Sequence, residues 1–329
     1  MNPFRTVLKP GVSKHTLSLG DRIVTVGSCF AEAMGARLLA NKVSTLANPF
    51  GVVYNPHSLH KAVLYAVYNE PVPESTFLER DGLHYSYDFH SSFSAGNRAE
   101  LRKRITDCLG ATHHFLKDAR AVILTYGTAW IYTRNETGEV VANCHKMPSQ
   151  LFTKSILTID EIVASFGDFH KRLREFNPSC VVILTVSPVR HLRDTIEGNS
   201  LSKAILRAAC GTIARSFEDV EYYPAYEIMM DDLRDYRFYK RDMIHPTEEA
   251  EDYIWEHFVA TYFNAETRAF FEEWKGIRAA LSHRPFHPGS ASHQSFLRDT
   301  LAKLEHLQQT VNVEEEMKSL RRQIESHRA

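Results

Sequence analysis

Thr25-Val26-Gly27-Ser28-Cys29-Phe30 is the stretch from which the fold of this chain can be read. Ile23 to Val26 is a short apolar run of the length and composition of a buried strand. Gly27 and Ser28 interrupt it as a sharp turn. Phe30, Met34 and Leu38 then recur at helical spacing through an alanine-rich segment. A serine at a strand-to-helix turn sits beside the unpaired N–H groups of the helix start and in the positive end of its dipole. Such a serine either caps the helix or acts as a nucleophile whose oxyanion the same groups stabilise.

The alternation continues along the chain. Val43 to Ala47, Ala121 to Tyr126, Cys180 to Val186 and Val220 to Tyr223 read as further strands. Helical spacing marks Leu59 to Tyr68 and Ala99 to Leu116. It also marks Ile162, Phe166, Phe169, Leu173 and Phe176, behind the capping box Thr158-x-x-Glu161. Asn199 is expected to cap a helix carrying Leu201, Ile205, Ala209 and Ile213. Thr247, Glu248 and Glu249 open another with Tyr253, Ile254, Phe258 and Tyr262 inward. Asn135 to Gly138 reads as a hairpin turn, and residues 71–98, rich in Pro, Ser, Gly, His and aromatics, as a surface insertion. Short strands alternating with helices predict an α/β protein with a mostly parallel, doubly wound sheet. In such sheets, sites form in loops at the carboxyl ends of the strands. Residues 283–295 read as a linker. Leu297, Leu301, Leu304 and Val311, then Val313, Met317, Leu320 and Ile324, predict an amphipathic helix or helix pair, broken near Thr310 to Asn312. This extension would pack on its own domain or pair with a second copy as a homo-oligomer. The expected domains are 1–263 and the extension 264–329.

With 43% hydrophobic and 24% charged residues, the chain has the composition of a globular protein that builds a core without staples. A net charge of -1 gives no global field toward nucleic acid or a membrane surface. No run approaches the roughly 18 apolar residues of a membrane span. The five cysteines are widely spaced and form no CxxC pair, so a zinc or dithiol site is not expected, nor is a cofactor. Met1 to Lys14 has no apolar core of the signal-peptide kind, and together with the cysteine usage this leads us to expect a cytoplasmic protein.

Asp242-Met243-Ile244-His245-Pro246 is the second informative stretch. An acid three residues before an imidazole, on a loop or first helical turn, can engage one ring nitrogen and leave the other free. That is the arrangement of a general base for a serine hydroxyl. The alternative is a solvent-facing Asp and a His that caps the next helix. Cys29 is either a thiolate at a helix start or a small buried filler. Cys144 with His145, and Arg190 with His191, follow strands; they line a pocket or tie loops to the sheet rim. In the first case Arg190 could pair with a substrate carboxylate or phosphate. His57 and His60 are spaced like half a metal site, but with no carboxylate pattern beside them they read as exposed surface. Trp130 and Tyr132 read as core or pocket wall.

Gly27-Ser28-Cys29-Phe30-Ala31 resembles the signature of the GSCFA family, which is grouped with the SGNH (GDSL-like) hydrolases. The resemblance spans roughly residues 5–263. It includes Asn48-Pro49-Phe50-Gly51 with Tyr54-Asn55-Pro56, Asn143-Cys144-His145-Lys146, Ser187-Pro188-Val189-Arg190-His191, Asn199 with Leu201-Ser202-Lys203, and Asp242-Met243-Ile244-His245-Pro246. It implies a three-layer α/β/α sandwich and a Ser-His-Asp hydrolase in which Ser28, His245 and Asp242 match the triad positions. It further implies oxyanion donors at the Ser28 N–H and at Gly51. Gly127-Thr128-Ala129 departs from the Gly-x-Asn-Asp pattern that would carry a third donor, and Val26-Gly27 stands where Gly-Asp would precede the serine. Asn143 or Asn55 is the candidate replacement donor. Asn55, Cys144, His145, Arg190 and His191 are candidate substrate contacts. The implied function is an esterase or deacylase on a small-molecule or glycan ester, or a lipid-like one. Its alternatives are an O-acyltransferase with the same triad and a non-catalytic binding protein.

Overall fold

A computed structural model describes residues 5–326. Five strands, β1 (Arg22–Gly27), β2 (Ser44–Ala47), β5 (Ala121–Tyr126), β9 (Val181–Val186) and β10 (Val220–Tyr223), form one parallel sheet in the order β10-β9-β5-β1-β2. β5 and β9 are buried along their whole length and β1 from its second residue. This explains why they read as unbroken apolar runs rather than alternating ones. Helices α2 (Pro56–Tyr68), α3 (Arg98–Leu116), α4 (Ile159–Phe176) and α5 (Thr195–Ser216) cover one face. There Leu59, Ile105, Phe166 and Leu206 join Val24, Leu124 and Leu184 in a single core. The other face carries α1 (Cys29–Ala40) and α7 (Glu248–Tyr262), the latter preceded by the short helix α6 (Ala225–Glu227). On it Gly35 of α1 sits against Ala47 and Thr25, Tyr223 packs edge-on against Phe258 and Tyr262, and Arg37 pairs with Glu251 at 2.9 Å. The architecture is a three-layer α/β/α sandwich.

Taken in chain order, these five strands are arranged 2-1-3-4-5, so the winding reverses between β1 and β5. Loops leaving the carboxyl ends of those two neighbours diverge and open a crevice. Ser28 leaves β1 at that point. The turn is tight: Gly27 has φ +148°, its N–H donates to Asn48 Oδ1 at 2.9 Å, and its carbonyl accepts from Val53 N–H at 2.9 Å. A Cβ there would run into the Thr125 carbonyl and Cβ of the adjacent strand. We therefore expect Gly27→Ala to cost about 2 kcal/mol or more through strain and overpacking. An unchanged urea midpoint would contradict this.

Several local signals act as read. The Thr158–Glu161 capping box makes both of its bonds, and Asn55 caps α2 with Pro56 in the first turn. The 135–138 turn joins β6 (Trp130–Arg134) to β7 (Val140–Val141), which form a small antiparallel sheet with β8 (Phe152–Ile156). Three expectations fail. Residues 71–98 are not merely a surface insertion. They contain the hairpin β3 (Phe77–Arg80) and β4 (Leu83–Ser86), and Phe89 is fully buried in the main core against Phe50. α5 starts at Thr195, so Asn199 lies inside it and turns its Oδ1 to the His191 N–H at 2.9 Å instead of capping. His57 and His60 are not exposed. His57 is half-buried. His60 is buried, bonded to Tyr126 Oη (2.6 Å) and Ser165 Oγ (2.8 Å), and stacked on Phe169, and burial drives its pKa down to about 3. It is a neutral core residue, and among the described residues no cluster could hold a metal ion.

A second compact unit runs from Phe263 and includes Ala40–Lys42. It contains α8 (Ala265–Ser282), α9 (Ala291–Leu307) and α10 (Glu314–Glu325), so the expected linker at 283–295 is interrupted by the start of α9. Leu297, Leu304, Met317, Leu320 and Ile324 are buried, and Trp274 donates to the Ala40 carbonyl at 2.7 Å. Among the described residues no helix is long and apolar enough to cross a membrane.

Candidate active site

Ser28 closes β1 and opens α1. Its carbonyl accepts from Ala31 N–H (2.8 Å), its Oγ accepts from Phe30 N–H (3.3 Å), and its own N–H reaches the Thr125 carbonyl (3.3 Å). These are the bonds of a helix cap. The same Oγ also donates to Ser187 Oγ at 2.9 Å, across to the loop after β9. Ser28 is 2% exposed, yet it lines a cavity of about 130 Å³. Cys29 and Tyr54 line this cavity from the β1 side, Gly127 from the end of β5, and Ser187, Arg190 and His191 from the end of β9. Ile244 and His245 complete it from the loop before α7. Burial pushes the Cys29 thiol up, which removes the case for a thiolate there.

Lys203, on α5, is buried and joins two of these loops. Its ammonium donates to the carbonyls of Gly127 (2.8 Å) and Ser187 (2.7 Å), and among the described residues no carboxylate pairs with it. Burial brings its pKa down to about 7. Because the folded value lies below the unfolded one, the unfolded chain binds the extra proton above about pH 7. Stability from this group therefore rises with pH, from about 7 towards the ordinary lysine value. Between pH 7 and 9 the urea midpoint of the wild type should climb relative to that of Lys203→Met. A constant difference across that range would show that Lys203 does not titrate in this way.

The Asp242–His245 loop is held from both sides. Asp242 Oδ2 meets His245 Nδ1 at 2.7 Å, while Oδ1 accepts the N–H groups of Ile244 (2.9 Å) and His245 (3.0 Å). The bond from His245, and then the two backbone N–H groups, hold the Asp242 carboxyl well below the usual carboxylate range. An ionised carboxylate only accepts, so Nδ1 carries the proton and Nε2 is left as the basic nitrogen. Met243 adopts a left-handed φ of 59°, and Arg190 braces the loop through its N–H to Ile244 O (3.2 Å) and its Nη1 to Met243 O (3.3 Å). Among the described residues no hydrogen bond joins Ser28 to His245.

A second imidazole–carboxylate pair faces the same cavity. His191 Nδ1 lies 3.1 Å from Asp194 Oδ2, and the ring meets Tyr54 edge-on at 5.6 Å. Asp194 is also paired with Lys154, whose ammonium lies 4.5 Å over the Trp130 ring. Burial lowers the His191 pKa against the pull of Asp194, so this ring favours its neutral form.

Of the candidate site residues read from the sequence, Ser28, Cys29, His245, Arg190 and His191 come together at the cavity, with Asp242 behind His245. Gly51, Asn55, Asn143, Cys144 and His145 do not line it. Gly51 commits its N–H to the Asn48 carbonyl (2.9 Å) and packs against His90. Asn55 spends its Oδ1 on the Ser58 N–H (2.9 Å). Asn143 caps the His145 N–H (2.8 Å), and His145 bonds the Ser86 carbonyl (2.7 Å), both serving the small antiparallel region. Cys144 packs near Tyr87 and Phe152. Sequence reasoning assigned no role to Ser187, Lys203 or Asp194. Asp194 stands three residues from His191, the same separation as Asp242 and His245, and that signal was available.

Residues 22–258 match the GSCFA family, and residues 274–326 match the family described as GSCFA domain protein, C-terminal domain. Among solved structures the chain is similar to an acetyl xylan esterase from the rumen bacterium Butyrivibrio proteoclasticus (11% identity, 73% of this chain and 62% of that chain, TM-score 0.38). It is also similar to a carbohydrate esterase family 3 from Talaromyces cellulolyticus (9% identity, 78% and 99%, TM-score 0.34). A third is a family two carbohydrate esterase from Clostridium thermocellum (13% identity, 74% and 64%, TM-score 0.32). The chain spans less than two thirds of the length of the first and third of these. No curated protein matches the chain.

Proposed function

The chain belongs to the GSCFA family, and we propose that it is a serine esterase that acts through Ser28, His245 and Asp242. The observation that carries this reading is the shared cavity: a hydroxyl from the end of the first strand and a carboxylate-oriented imidazole from the last loop line one small space at the switch point of the sheet. His245 Nε2 takes the Ser28 proton as Oγ attacks the ester carbonyl. The same proton then leaves with the alcohol, and water, activated by His245, cleaves the acyl-enzyme. Ser28 must first exchange its bond to Ser187 for one to His245. The oxyanion is assigned to the first turn of α1, where the Cys29 N–H has no carbonyl of its own helix to bind. This replaces the Ser28 N–H, which bonds the Thr125 carbonyl, and Gly51, whose N–H goes to the Asn48 carbonyl.

His245 is preferred to His191 as the base because, among the described residues, no other side-chain cation pairs with Asp242, whereas Asp194 shares its charge with Lys154. The cavity, about 130 Å³, is well below the roughly 300 Å³ at which pockets for drug-sized ligands begin, so the acyl group is short. The competing reading is a binding protein, and the Ser28–Ser187 bond favours it because it ties up the hydroxyl. A fluorophosphonate probe separates the two. Stoichiometric labelling at Ser28 of the native protein is expected, and no labelling at that residue would end the esterase reading.

A further inference from the structure

The cavity beside Ser28 is lined by one permanent cation, Arg190, and among the described residues by no carboxylate. The guanidinium is already held in place. It lies over Tyr239, 4.0 Å from the ring centroid, with Tyr236 at 5.4 Å, and Nη1 donates to the Met243 carbonyl at 3.3 Å. No acid among the described residues pairs with it, although acids are close by. Asp242 is consumed by His245 and two backbone N–H groups, and Asp194 by Lys154 and His191. A guanidinium has five N–H donors in a fixed fork that matches a carboxylate or phosphate. Here the side chain donates to a loop carbonyl and to the Tyr239 hydroxyl, which leaves part of the fork free. A half-buried, stacked arginine with donors to spare and no paired acid among the described residues is suited to receive an anion.

Resting on the esterase reading, we propose that the ester this protein cleaves carries a carboxylate or phosphate group, which Arg190 grips while the ester lies at Ser28. We place that group on the alcohol side of the ester, which leaves the uncharged acyl group to the small cavity at Ser28. Arg190 has two other possible employments, and they predict different kinetics. As a brace for the 242–245 loop, or as an oxyanion donor in place of the missing Asn, it would serve neutral and anionic esters alike.

The test compares kcat/KM for phenyl acetate, 4-acetoxybenzoate and 4-acetoxyphenyl phosphate at low ionic strength, in the wild type, Arg190→Lys and Arg190→Gln. The readout is the ratio of each anionic ester to the neutral one within a variant, so a general loss of activity cancels. The wild type should favour at least one anionic ester by about tenfold or more, chiefly through KM, as expected for a charge-assisted bond. Which anion wins distinguishes carboxylate from phosphate. The ratio should fall to about one in Arg190→Gln and survive in part in Arg190→Lys. A wild-type ratio near one for both anions, or a ratio that persists in Arg190→Gln, overturns the proposal. Binding of 4-acetoxybenzoate to Ser28→Ala and to Ser28→Ala/Arg190→Gln, followed by calorimetry, needs no turnover. Tighter binding that depends on Arg190, in a protein that cleaves none of the three esters, would keep the anion site and retire the esterase. Equal binding to both variants would retire the anion site.

Discussion

Ser28→Ala should lower the turnover of p-nitrophenyl acetate by roughly 10⁴-fold or more, with the fold retained. The size follows from the role. Without Oγ no acyl-enzyme forms, and what remains is the background supplied by binding and the helix start. The fold should survive because the structural work of the hydroxyl is modest. Its cap bond to the Phe30 N–H is long at 3.3 Å, its bond to Ser187 is one neutral pair, and the backbone bonds of Ser28 are untouched by the substitution. Loss of such a cap costs about 1 kcal/mol. The measurements are initial rates beside a thermal melt. A variant that keeps its rate removes Ser28 from the mechanism. One that loses both rate and melt leaves the active-site titration with the fluorophosphonate probe to decide.

The second large effect concerns the choice between two imidazoles. His245→Ala should reduce kcat by about 10³-fold or more, whereas His191→Ala should cost about tenfold or less. Both rings line the cavity and both have a carboxylate at Nδ1. They differ in how much of that carboxylate is theirs. Among the described residues Asp242 pairs with no side chain but His245, while Lys154 already neutralises Asp194, and burial further discourages protonation of His191. The imidazolium of the transition state is therefore better supported at His245. The reverse ranking would transfer the base to the His191–Asp194 pair. Asp242 also links the site to pH. Its carboxyl is depressed by bonds that exist only in the folded loop, so the stability it adds is present above the ordinary aspartate value and is lost as pH falls through and below that value.

How much of this was legible depends on how local the cause was. Hydrophobic periodicity located the five strands of the parallel sheet and the helices between them, because burial on both faces leaves an unmistakable run of apolar residues. Residues 71–98 misled for the same reason in reverse: their polar composition concealed Phe89, which the main core takes in. His60 looks like a surface histidine by type and spacing, and only Tyr126, Ser165 and Phe169, supplied by other elements, make it a core residue. Asn199 had the identity of a cap and the wrong neighbour, since a backbone N–H from the preceding loop claimed its side chain.

At the site the division is similar. The Gly-Ser turn and the Asp-x-x-His block lie in contiguous residues, so spacing made Ser28, Asp242 and His245 candidates beside their capping alternatives, and the resemblance to the GSCFA blocks singled them out. Gly51, Asn55 and Asn143 were equally plausible by residue type, and their hydrogen bonds go elsewhere. Which groups share the cavity, that Ser187 holds the Ser28 hydroxyl, that Lys203 ties two loops together and that no acid among the described residues pairs with Arg190 were decided by the tertiary structure. The physical reason is that a strand or helix is selected by the pattern of its own residues, whereas a polar side chain is assigned by whichever donor or acceptor the folded chain brings within about 3 Å of it.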